Sequence, residues 1–358
     1  MTFFEQFRAV PRILVGIGKS MSVAFRSAKE RHFRGAKGDY ATVIDSPVLG
    51  CLVLGTAITI WALAACAAAP YGTGVALTFS PIPTEQRVVG LAYSTWHTSP
   101  TWNNTWGTPE LGGYTSTDRA VIRKHAEWLA DAGVDFTWID WSNNVHFDPK
   151  LPHRRGVFDT IEESTTASFE EYVKLPRHPR ISIFLGTGTP ESLTSGNLQR
   201  KADQVYADYV ANKRFRPLVQ DYLGKPLLVV YVNTPSPFPH GVPEWNDPRF
   251  TVRWMTGYVT EQPNLRTADL VSKYGYWSWE DRGKQTFSMY DGHPEAMVVV
   301  ASWREDKGGG IPAGGRRNGE TFRRQWARAR EIGPRFAMVV SWNELRAPDV
   351  SRQASQER

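Results

Sequence analysis

The stretch that decides the fold is GGYTSTDRAVIRKHAEWLADAGVDFTWIDWSNN, residues 112–144. Its first half predicts a helix over residues 116–132, which begins at a capping box of Thr115 and Asp118. One apolar face and a terminating glycine support this helix: Val121, Trp128, Leu129, Ala132 and Gly133. The second half, residues 134–143, is an almost continuous apolar run, which is typical of strands that are buried on both faces. Helix and strand together are the repeating unit of parallel α/β folds.

Similar apolar, β-branched or aromatic runs continue on both sides of this unit. They predict eight strands, over residues 87–96, 134–143, 180–188, 226–233, 250–259, 273–280, 296–303 and 336–344. Two more helices are predicted, over residues 197–212 and 318–332. Between residues 233 and 296 the connections are short and rich in Pro and Gly, so helices there should be missing or reduced. We therefore predict an α/β fold, a (β/α)8 barrel of the TIM type, over residues 86–346.

Composition and charge separate the N-terminal arm from the rest of the chain. The 358 residues carry a net charge of +6. Residues 1–45 hold eight Lys or Arg and four Asp or Glu, a net +4, and the remaining residues are close to neutral at +2. The high pI therefore belongs largely to the arm, and the main domain is not predicted to bind nucleic acid. We interpret the arm as the cytoplasmic flank of a membrane segment.

The next stretch, residues 46–70, predicts a transmembrane helix that acts as a signal anchor. No charged residue lies between Asp45 and Glu85, and about 22 mostly apolar residues within 46–70 are enough to cross a bilayer. Because the basic arm precedes the segment, the N-terminus is expected inside and the barrel outside the cytoplasm. Residues 71–85 are interpreted as a linker to the barrel.

An alternative interpretation of the same segment is a lipoprotein signal. The sequence LAAC at Leu63–Cys66 is similar to a lipobox, in which cleavage leaves a lipidated Cys66. Both interpretations make the protein membrane-anchored and extracytoplasmic, on the periplasmic or cell-surface face. Cys51 and Cys66 are the two cysteines of the chain, so the exported part has no disulfide and no cysteine-based metal site. The chain ends in a polar tail, residues 347–358.

Tryptophans lie near the second halves of the predicted strands, where barrel enzymes carry their chemistry. They are Trp96, Trp141, Trp254, Trp277, Trp279, Trp303 and Trp342. Sugar rings present C–H faces and hydroxyl edges, so flat apolar side chains mixed with Asp, Glu and Asn suit them. We predict a carbohydrate-binding cleft at this rim. The alternative is that several of these rings pack between strands and helices.

Polar side chains end the same strands, and among them are three candidate acids. Cleavage of a glycosidic bond needs two carboxyl groups, one protonated and one ionised. The predicted catalytic residues are Glu344, Asp140 and Glu280. The predicted substrate-binding residues are Trp96, His97, Tyr93, Trp141, Asn143, Tyr231, Trp277, Trp279, Trp303, Trp342 and Asn343. Further polar residues at strand ends are Glu191, Asn233 and Asp281.

Motifs of several other classes of site are absent from the sequence. The eight His include no pair at the spacing of a helical metal site, so neither a metal nor a cofactor is predicted. GTGTPES at 186–192 lacks the Lys-Ser/Thr of a P-loop, and the absence of G-x-S-x-G disfavours a serine hydrolase. The glycine-rich loop at 308–317 is interpreted as a lid, and Arg316 with Arg317 could alternatively hold an anionic group.

Three of these segments carry a family resemblance. They are GLAYSTWHTSP at 90–100, the stretch at 112–144 and VVSWNE at 339–344. Over most of residues 88–346 the chain resembles the barrels of glycoside hydrolase families 99 and 71, and related bacterial barrels of unassigned function. The resemblance implies an endo-mannosidase-like or α-glucanase-like protein that acts on α-linked mannans or glucans. In family 99 a second Glu follows the first by three residues; the first matches Glu344 and the second falls on Ala347.

Three functions are compatible with the sequence. The first is a glycosidase that cleaves an α-linked poly- or oligosaccharide outside the cytoplasm. Ala347, in place of the expected Glu, motivates the second, which is a non-catalytic carbohydrate-binding barrel of an envelope polysaccharide system. The third is another barrel enzyme, such as a lyase or a deacetylase-like hydrolase, that uses Asp140 with His97.

Overall fold

All eight predicted strands are present. A computed structural model describes residues 79–80, 82–104, 108–144, 157–187, 196–233, 238, 241–303 and 317–344. The described residues form β1 (Val88–Tyr93), β2 (Phe136–Trp141), β3 (Arg180–Gly186), β4 (Asp221–Tyr222), β5 (Lys225–Val232), β6 (Thr251–Thr256), β7 (Trp277–Ser278), β8 (Met289–Tyr290), β9 (His293–Pro294), β10 (Ala296–Val300) and β11 (Phe336–Val340). All except β4, β8 and β9 coincide with a predicted run, and these eight strands build a parallel barrel. The predicted α/β barrel is confirmed.

The order of the strands leaves the barrel nearly closed. Hydrogen bonds link β10, β11, β1, β2, β3, β5, β6 and β7 in that sequence. The first and last members, β10 and β7, approach each other with Cα atoms within 8 Å. β1 is paired on both sides, because Gly90 lies opposite Met338 of β11 and opposite Phe136 of β2. All carboxyl ends of the parallel strands therefore meet at one mouth.

Four α-helices lie in the described residues: α1 (Arg119–Asp131), α2 (Val157–Tyr172), α3 (Asn197–Val205) and α4 (Glu320–Ile332). Asp118 is the N-cap of α1, and its carboxylate accepts hydrogen bonds from the backbone N–H groups of Ala120 and Val121. The predicted cap at Thr115 is therefore wrong, because Asp118 already satisfies these donors and the helix begins after it. Gly133 follows the last turn with a φ of +78°, as its position in the sequence predicts.

The helices predicted over residues 197–212 and 318–332 are also present, with different ends. α3 passes into a π-helical turn at Tyr206–Val210. α4 begins only at Glu320, because Asn318 and Gly319 have positive φ angles of 54° and 83°. No prediction covered α2, which connects β2 to β3.

The connections between β6 and β10 are short, in agreement with the prediction for residues 233–296. In the described part of that segment the regular elements besides β6 and β7 are a 3-10 helix at Pro263–Leu265 and the antiparallel pair β8 and β9. Asp281 stabilises the loop between β7 and β8 through hydrogen bonds to its carboxylate. Its carboxylate accepts from the Ser278 hydroxyl at 2.7 Å and from the Thr286 backbone N–H at 2.8 Å.

Large aromatic side chains fill the interior of the barrel. The fully buried interior rings belong to Phe136, Trp138, Phe184, Trp277 and Phe336. Glycine is needed opposite them at Gly90, where a Cβ would lie 2.5 Å from the Phe136 ring. The other faces of the strands pack on the helices, and Ile139, Ile183 and Leu228 belong to that outer cluster. Strands buried on both faces explain the continuous apolar runs in the sequence.

A buried ionic network closes the N-terminal end of the barrel, which we call the base. Glu295, immediately before β10, is 3% exposed. Its Oε1 accepts hydrogen bonds from Arg253 Nε at 2.6 Å and from the Tyr222 hydroxyl at 3.0 Å. Its Oε2 accepts from Trp277 Nε1 at 2.9 Å and from the Ser288 hydroxyl at 3.2 Å. One carboxylate therefore links four segments across the base.

The arm at 1–45, the predicted membrane segment at 46–70 and the tail at 347–358 lie outside the described residues. So does the first part of the predicted linker, and the described chain starts at Phe79. Where the chain is described, none of its helices combines the length and the apolar character that crossing a membrane requires.

We predict that Glu295→Ala lowers the free energy of unfolding by about 3 kcal/mol, because the largely buried Arg253 loses the partner of its charge. Urea unfolding, followed by tryptophan fluorescence, would measure the change. The matched control is Glu127→Ala, which removes an exposed ion pair with Lys124 on α1 and should cost less than about 1 kcal/mol. Equal losses in the two variants would contradict the role given to Glu295.

Candidate active site

Three predicted catalytic carboxyl groups lie at the mouth of the barrel, and their charges act on one phenol. Asp140 lies near the end of β2, Glu280 follows β7 and Glu344 follows β11. The charges of all three carboxyl groups act on the hydroxyl of Tyr231, near the end of β5. These four residues come from four strands that are far apart in the sequence. Their meeting point is therefore a candidate active site.

Tyr231 keeps its proton at neutral pH. Burial and the nearby groups of Tyr258, Asp140, Glu280 and Glu344 raise its pKa to about 12. Negative charge next to a phenol disfavours the phenolate, so the neighbours act in the same direction as burial. The hydroxyl can therefore donate a hydrogen bond to a ligand. Beside it, a Cβ on the glycine that follows β6 would lie 3.0 Å from the phenol oxygen, so a glycine at that position leaves room for the hydroxyl.

Of the three candidate acids, Asp140 is the most withdrawn from solvent. Its side chain faces the barrel mouth with 6% of its surface exposed, and burial raises its pKa. The backbone N–H of Ser142 donates a 2.8 Å hydrogen bond to Oδ1 and opposes this shift without cancelling it. Gly186 on β3 permits this tight turn, because a Cβ there would come within 2.0 Å of the Ser142 carbonyl oxygen.

Aromatic rings continue from the barrel interior to Trp279, directly before Glu280, and form what we call the aromatic floor. The partly buried ring of Trp279 is stacked on Phe184, with centroids 5.4 Å apart and planes at 6°. It also packs edge-on against Trp138 at 5.2 Å, and Tyr231 packs edge-on against Phe184 at 5.8 Å. Trp279 is thus one of the partly buried rings packed against the interior cluster. A flat apolar surface below polar groups suits the C–H face of a sugar ring.

A buried arginine lies beside Glu280. The Arg282 side chain is 3% exposed, and its Nη1 lies 3.0 Å from Glu261 Oε1. Its Nε lies 3.5 Å from Glu280 Oε1, and its guanidinium stacks over the Tyr258 ring at 4.2 Å. Glu280 therefore has a cation as a neighbour, whereas burial dominates the environment of Asp140. Different environments are what allow two carboxyl groups to act as acid and base.

Asn343 connects the last strand to the first at the rim. Its Oδ1 accepts a hydrogen bond from the Ser94 backbone N–H at 2.8 Å. Its Nδ2 donates to the Ser94 carbonyl at 2.7 Å and to the Tyr114 hydroxyl at 3.2 Å. The predicted ligand-binding amide is buried and occupied by these bonds. It holds the segment that carries Glu344.

His97 also holds the segment that carries Asn343 and Glu344. Its buried ring is stacked between Trp96, with centroids 4.1 Å apart, and Trp102, at 4.0 Å. Nε2 donates to the Asn343 carbonyl at 2.9 Å, and Nδ1 lies 3.2 Å from the Thr101 hydroxyl. Burial lowers the pKa of His97 to about 4, so the ring is neutral at neutral pH. Both ring nitrogens are used inside the protein.

Three other predicted binding residues face the helices instead of the mouth. The Tyr93 hydroxyl is 2.8 Å from His125 Nδ1 on α1, and Trp141 Nε1 donates to the Thr165 hydroxyl on α2 at 2.8 Å. Trp342 packs edge-on against His125, with ring centroids 5.5 Å apart. Successive strand side chains point to opposite faces, so Trp141 points outward because it follows the inward Asp140. All three rings belong to the barrel wall.

The remaining predicted residues are spread over the barrel. Trp277 points to the base, where its indole N–H bonds to Glu295. Asn143 is exposed in the turn after β2, and Trp303 is partly buried beyond β10. Glu191 and the glycine-rich loop up to residue 316 lie outside the described residues.

The sequence did not predict the cluster in which Arg282 contacts Glu261 and Tyr258. Tyr258 stands at the end of the predicted strand at 250–259, so the rule that strand ends carry the site could have found it. No signal marked Arg282, because its partners are brought together by two loops.

The described residues provide acid–base groups and hydrogen-bond donors rather than a metal centre. Within the described ranges, no group of three or more His, Cys, Asp or Glu is arranged to hold a metal ion. A buried acid, a carboxyl group beside a cation and an exposed carboxyl group at one mouth can move protons and stabilise positive charge.

Comparisons with known proteins show a likeness in structure and none in sequence. No model of a known protein family matches the chain, and no curated protein sequence does. The structure is similar to that of the family 99 endo-α-mannosidase from Bacteroides thetaiotaomicron, with a TM-score of 0.46 and 14% identity over 72% of this chain and 85% of that one. A structure of the same enzyme in complex with bis-tris propane gives 0.48 and 16%, over 72% and 84%. The likeness is one of fold.

We predict that Asp140→Asn raises the free energy of unfolding at neutral pH. Because burial raises the pKa of Asp140 in the folded state, the wild-type protein loses stability as the pH rises from the unfolded pKa of about 3.9 through the folded pKa. The amide stays neutral and can still accept the Ser142 hydrogen bond. Urea unfolding between about pH 4 and pH 7 should show an advantage of the variant that grows with pH.

The matched control for this experiment is Asp131→Asn, at a side chain that is 61% exposed and paired with Arg177. Its effect on stability should depend much less on pH. A difference between Asp140→Asn and the wild-type protein that stays constant over the pH range would contradict the raised pKa.

Proposed function

We propose that this chain is a membrane-anchored glycoside hydrolase that cleaves an α-linked polysaccharide of the mannan or glucan type outside the cytoplasm. The proposal depends on one observation, which is that Asp140, Glu280 and Glu344 lie at the carboxyl ends of three barrel strands and that the charges of all three raise the pKa of Tyr231 at the same mouth. The substrate class comes from the sequence resemblance to glycoside hydrolase families 99 and 71.

The three carboxyl groups suit different steps of glycosidic cleavage. One acid must protonate the leaving oxygen, and Asp140 suits this role because burial raises its pKa. Glu344 is exposed at the mouth and suits the role of the ionised partner. Glu280, beside Arg282, adds a carboxyl group near the positive charge that develops on the sugar ring.

Tyr231 and Trp279 suit recognition of the sugar. The protonated phenol is a hydrogen-bond donor for a sugar hydroxyl, and the indole offers a flat apolar face. Both lie next to the carboxyl groups, so a ring that rests on Trp279 would have its polar edge toward them.

A metal-assisted lyase or deacetylase built on Asp140 and His97 has less support. Such a reaction needs a free imidazole nitrogen as a ligand or base. Both nitrogens of His97 are hydrogen-bonded, to the Asn343 carbonyl and to the Thr101 hydroxyl.

The location rests on the sequence alone. Residues 46–70 would hold the chain in the membrane as a helix, or Cys66 would do so through a lipid. In both cases the basic arm favours a barrel on the periplasmic or cell-surface side.

We predict that the full-length protein releases reducing ends from an α-mannan or an α-glucan, and that Glu344→Gln lowers kcat by about 10²–10⁴-fold, because the amide cannot accept a proton. A panel of α-linked polysaccharides would be assayed for reducing ends and for binding. Glu331→Gln, on the exposed surface of α4, is the control and should leave the rate unchanged.

Ala347 motivates a second candidate, a barrel that binds polysaccharide without cutting it. Binding without release of reducing ends from any member of the panel would reject the hydrolase and support this alternative. Trp279→Ala should then weaken binding, because it removes the aromatic floor.

A further inference from the structure

Glu261 is a further carboxyl group at the mouth end of the barrel, in the loop after β6. Its side chain is 11% exposed, and its Oε1 lies 3.0 Å from Arg282 Nη1. The same arginine also lies beside Glu280, with Nε 3.5 Å from Oε1. One guanidinium therefore connects Glu261 to a predicted catalytic carboxyl group.

Backbone hydrogen bonds join the two loops that carry these side chains. The Glu280 N–H donates to the Gly257 carbonyl at 3.0 Å. The Thr260 N–H donates to the Asp281 carboxylate at 3.2 Å. Neither bond involves the Arg282 side chain, so replacing that side chain leaves both bonds in place. The direct effect of such a replacement falls on the side chains that the guanidinium contacts.

Three contacts hold Arg282 in one position. Its side chain is 3% exposed, and its guanidinium lies over the Tyr258 ring at 4.2 Å. A guanidinium is planar and its N–H groups point in fixed directions, so pairing Nη1 with Glu261 also determines where Nε lies. The position of the cation beside Glu280 thus depends on Glu261 and on the stacking against Tyr258.

Arg282 and Glu261 act on the charge of Glu280 in opposite directions. A cation next to a carboxyl group favours the ionised form, whereas a second carboxylate nearby disfavours it. Glu261 also takes part of the attraction of Arg282, because it lies closer to the guanidinium than Glu280 does. Such effects are strong here, since all three side chains are largely withdrawn from water.

Other ionisable groups at this part of the mouth make Glu280 dependent on its cation. Those that act on the same phenol or adjoin Glu280 in the chain are Asp140, Tyr231, Tyr258, Asp281 and Glu344. Arg266, in the loop after β6, directs its Nε to the Thr260 carbonyl at 2.8 Å. Acids and phenols around a carboxyl group favour its protonated form, and Arg282 opposes them.

We propose that Glu261 is a positioning residue of the active site, which orients Arg282 so that Arg282 keeps Glu280 ionised. The inference rests on the hydrolase proposed above and deepens it. Glu280 then acts as a fixed anion near the positive charge that develops on the sugar ring, and the proton for the leaving oxygen comes from Asp140.

The titration of the Glu280 carboxyl group would test this role directly. The full-length protein in detergent is labelled with ¹³C at the side-chain carboxyl carbon of glutamate, and the NMR signal that is lost in Glu280→Gln is followed between about pH 3 and pH 8. The variants are Arg282→Met, Arg282→Lys and Glu261→Gln. The matched control is Arg177→Met, which removes an exposed arginine that pairs with Asp131.

We expect Arg282→Met to raise the midpoint of this titration by about one pH unit or more, because the cation is lost. Arg282→Lys keeps the charge and should reverse most of that shift. Glu261→Gln should move the midpoint to lower pH, since the amide still accepts a hydrogen bond from Arg282 but carries no charge. Arg177→Met should leave the midpoint unchanged. A general loss of structure does not produce shifts of opposite sign in two variants.

The acidic limb of the pH profile of kcat/KM, measured with an α-mannan or an α-glucan, should move in the same order as the midpoints. Equal midpoints, shifts of Arg282→Met and Glu261→Gln in the same direction, or an acidic limb that stays in place would overturn the role of Glu261. Opposite shifts without release of reducing ends from any polysaccharide would reject the hydrolase and leave the control of Glu280 intact. Should Arg282→Met fail to fold, Glu261→Gln and Arg282→Lys decide the question.

Discussion

The packing of large aromatic rings inside the barrel is the constraint on which the rest of the structure depends. Trp138, Phe184 and Trp279 form a continuous contact from the interior to the mouth. Rings of this size need a glycine opposite them, as at Gly90. They also fill the barrel interior as far as Trp279, the residue before Glu280, so the space below the mouth is packed. Below them, the Glu295 network seals the base.

The sequence predicted the strands well and their side-chain directions poorly, and both results have one cause. Strands covered on both faces appear as continuous apolar runs, which are easy to find but contain no alternation that would reveal the inner face. Asp140 and Trp141 were therefore both expected at the site. A shift of one residue separates the two faces, so Asp140 lines the mouth and Trp141 packs on α2. Tyr93 lies in the wall for the same reason.

The site was predictable where it depends on strand ends and unpredictable where it depends on loops. Asp140, Tyr231 and Glu344 lie at the same mouth because a barrel brings the ends of its strands together. Arg282 reaches Glu280 only through the conformation of the loop after β7. His97 looked like a ligand-binding residue, because nothing local in the sequence indicates that a ring several residues later will cover it. In the folded protein, Trp102 stacks on the His97 ring and covers it.

The sealed base has a consequence for any long polymer that reaches this protein. No passage leads through the described barrel, because aromatic rings and the Glu295 network fill it from Trp279 to the base. Any molecule that binds at the mouth must therefore enter and leave on that one side of the barrel.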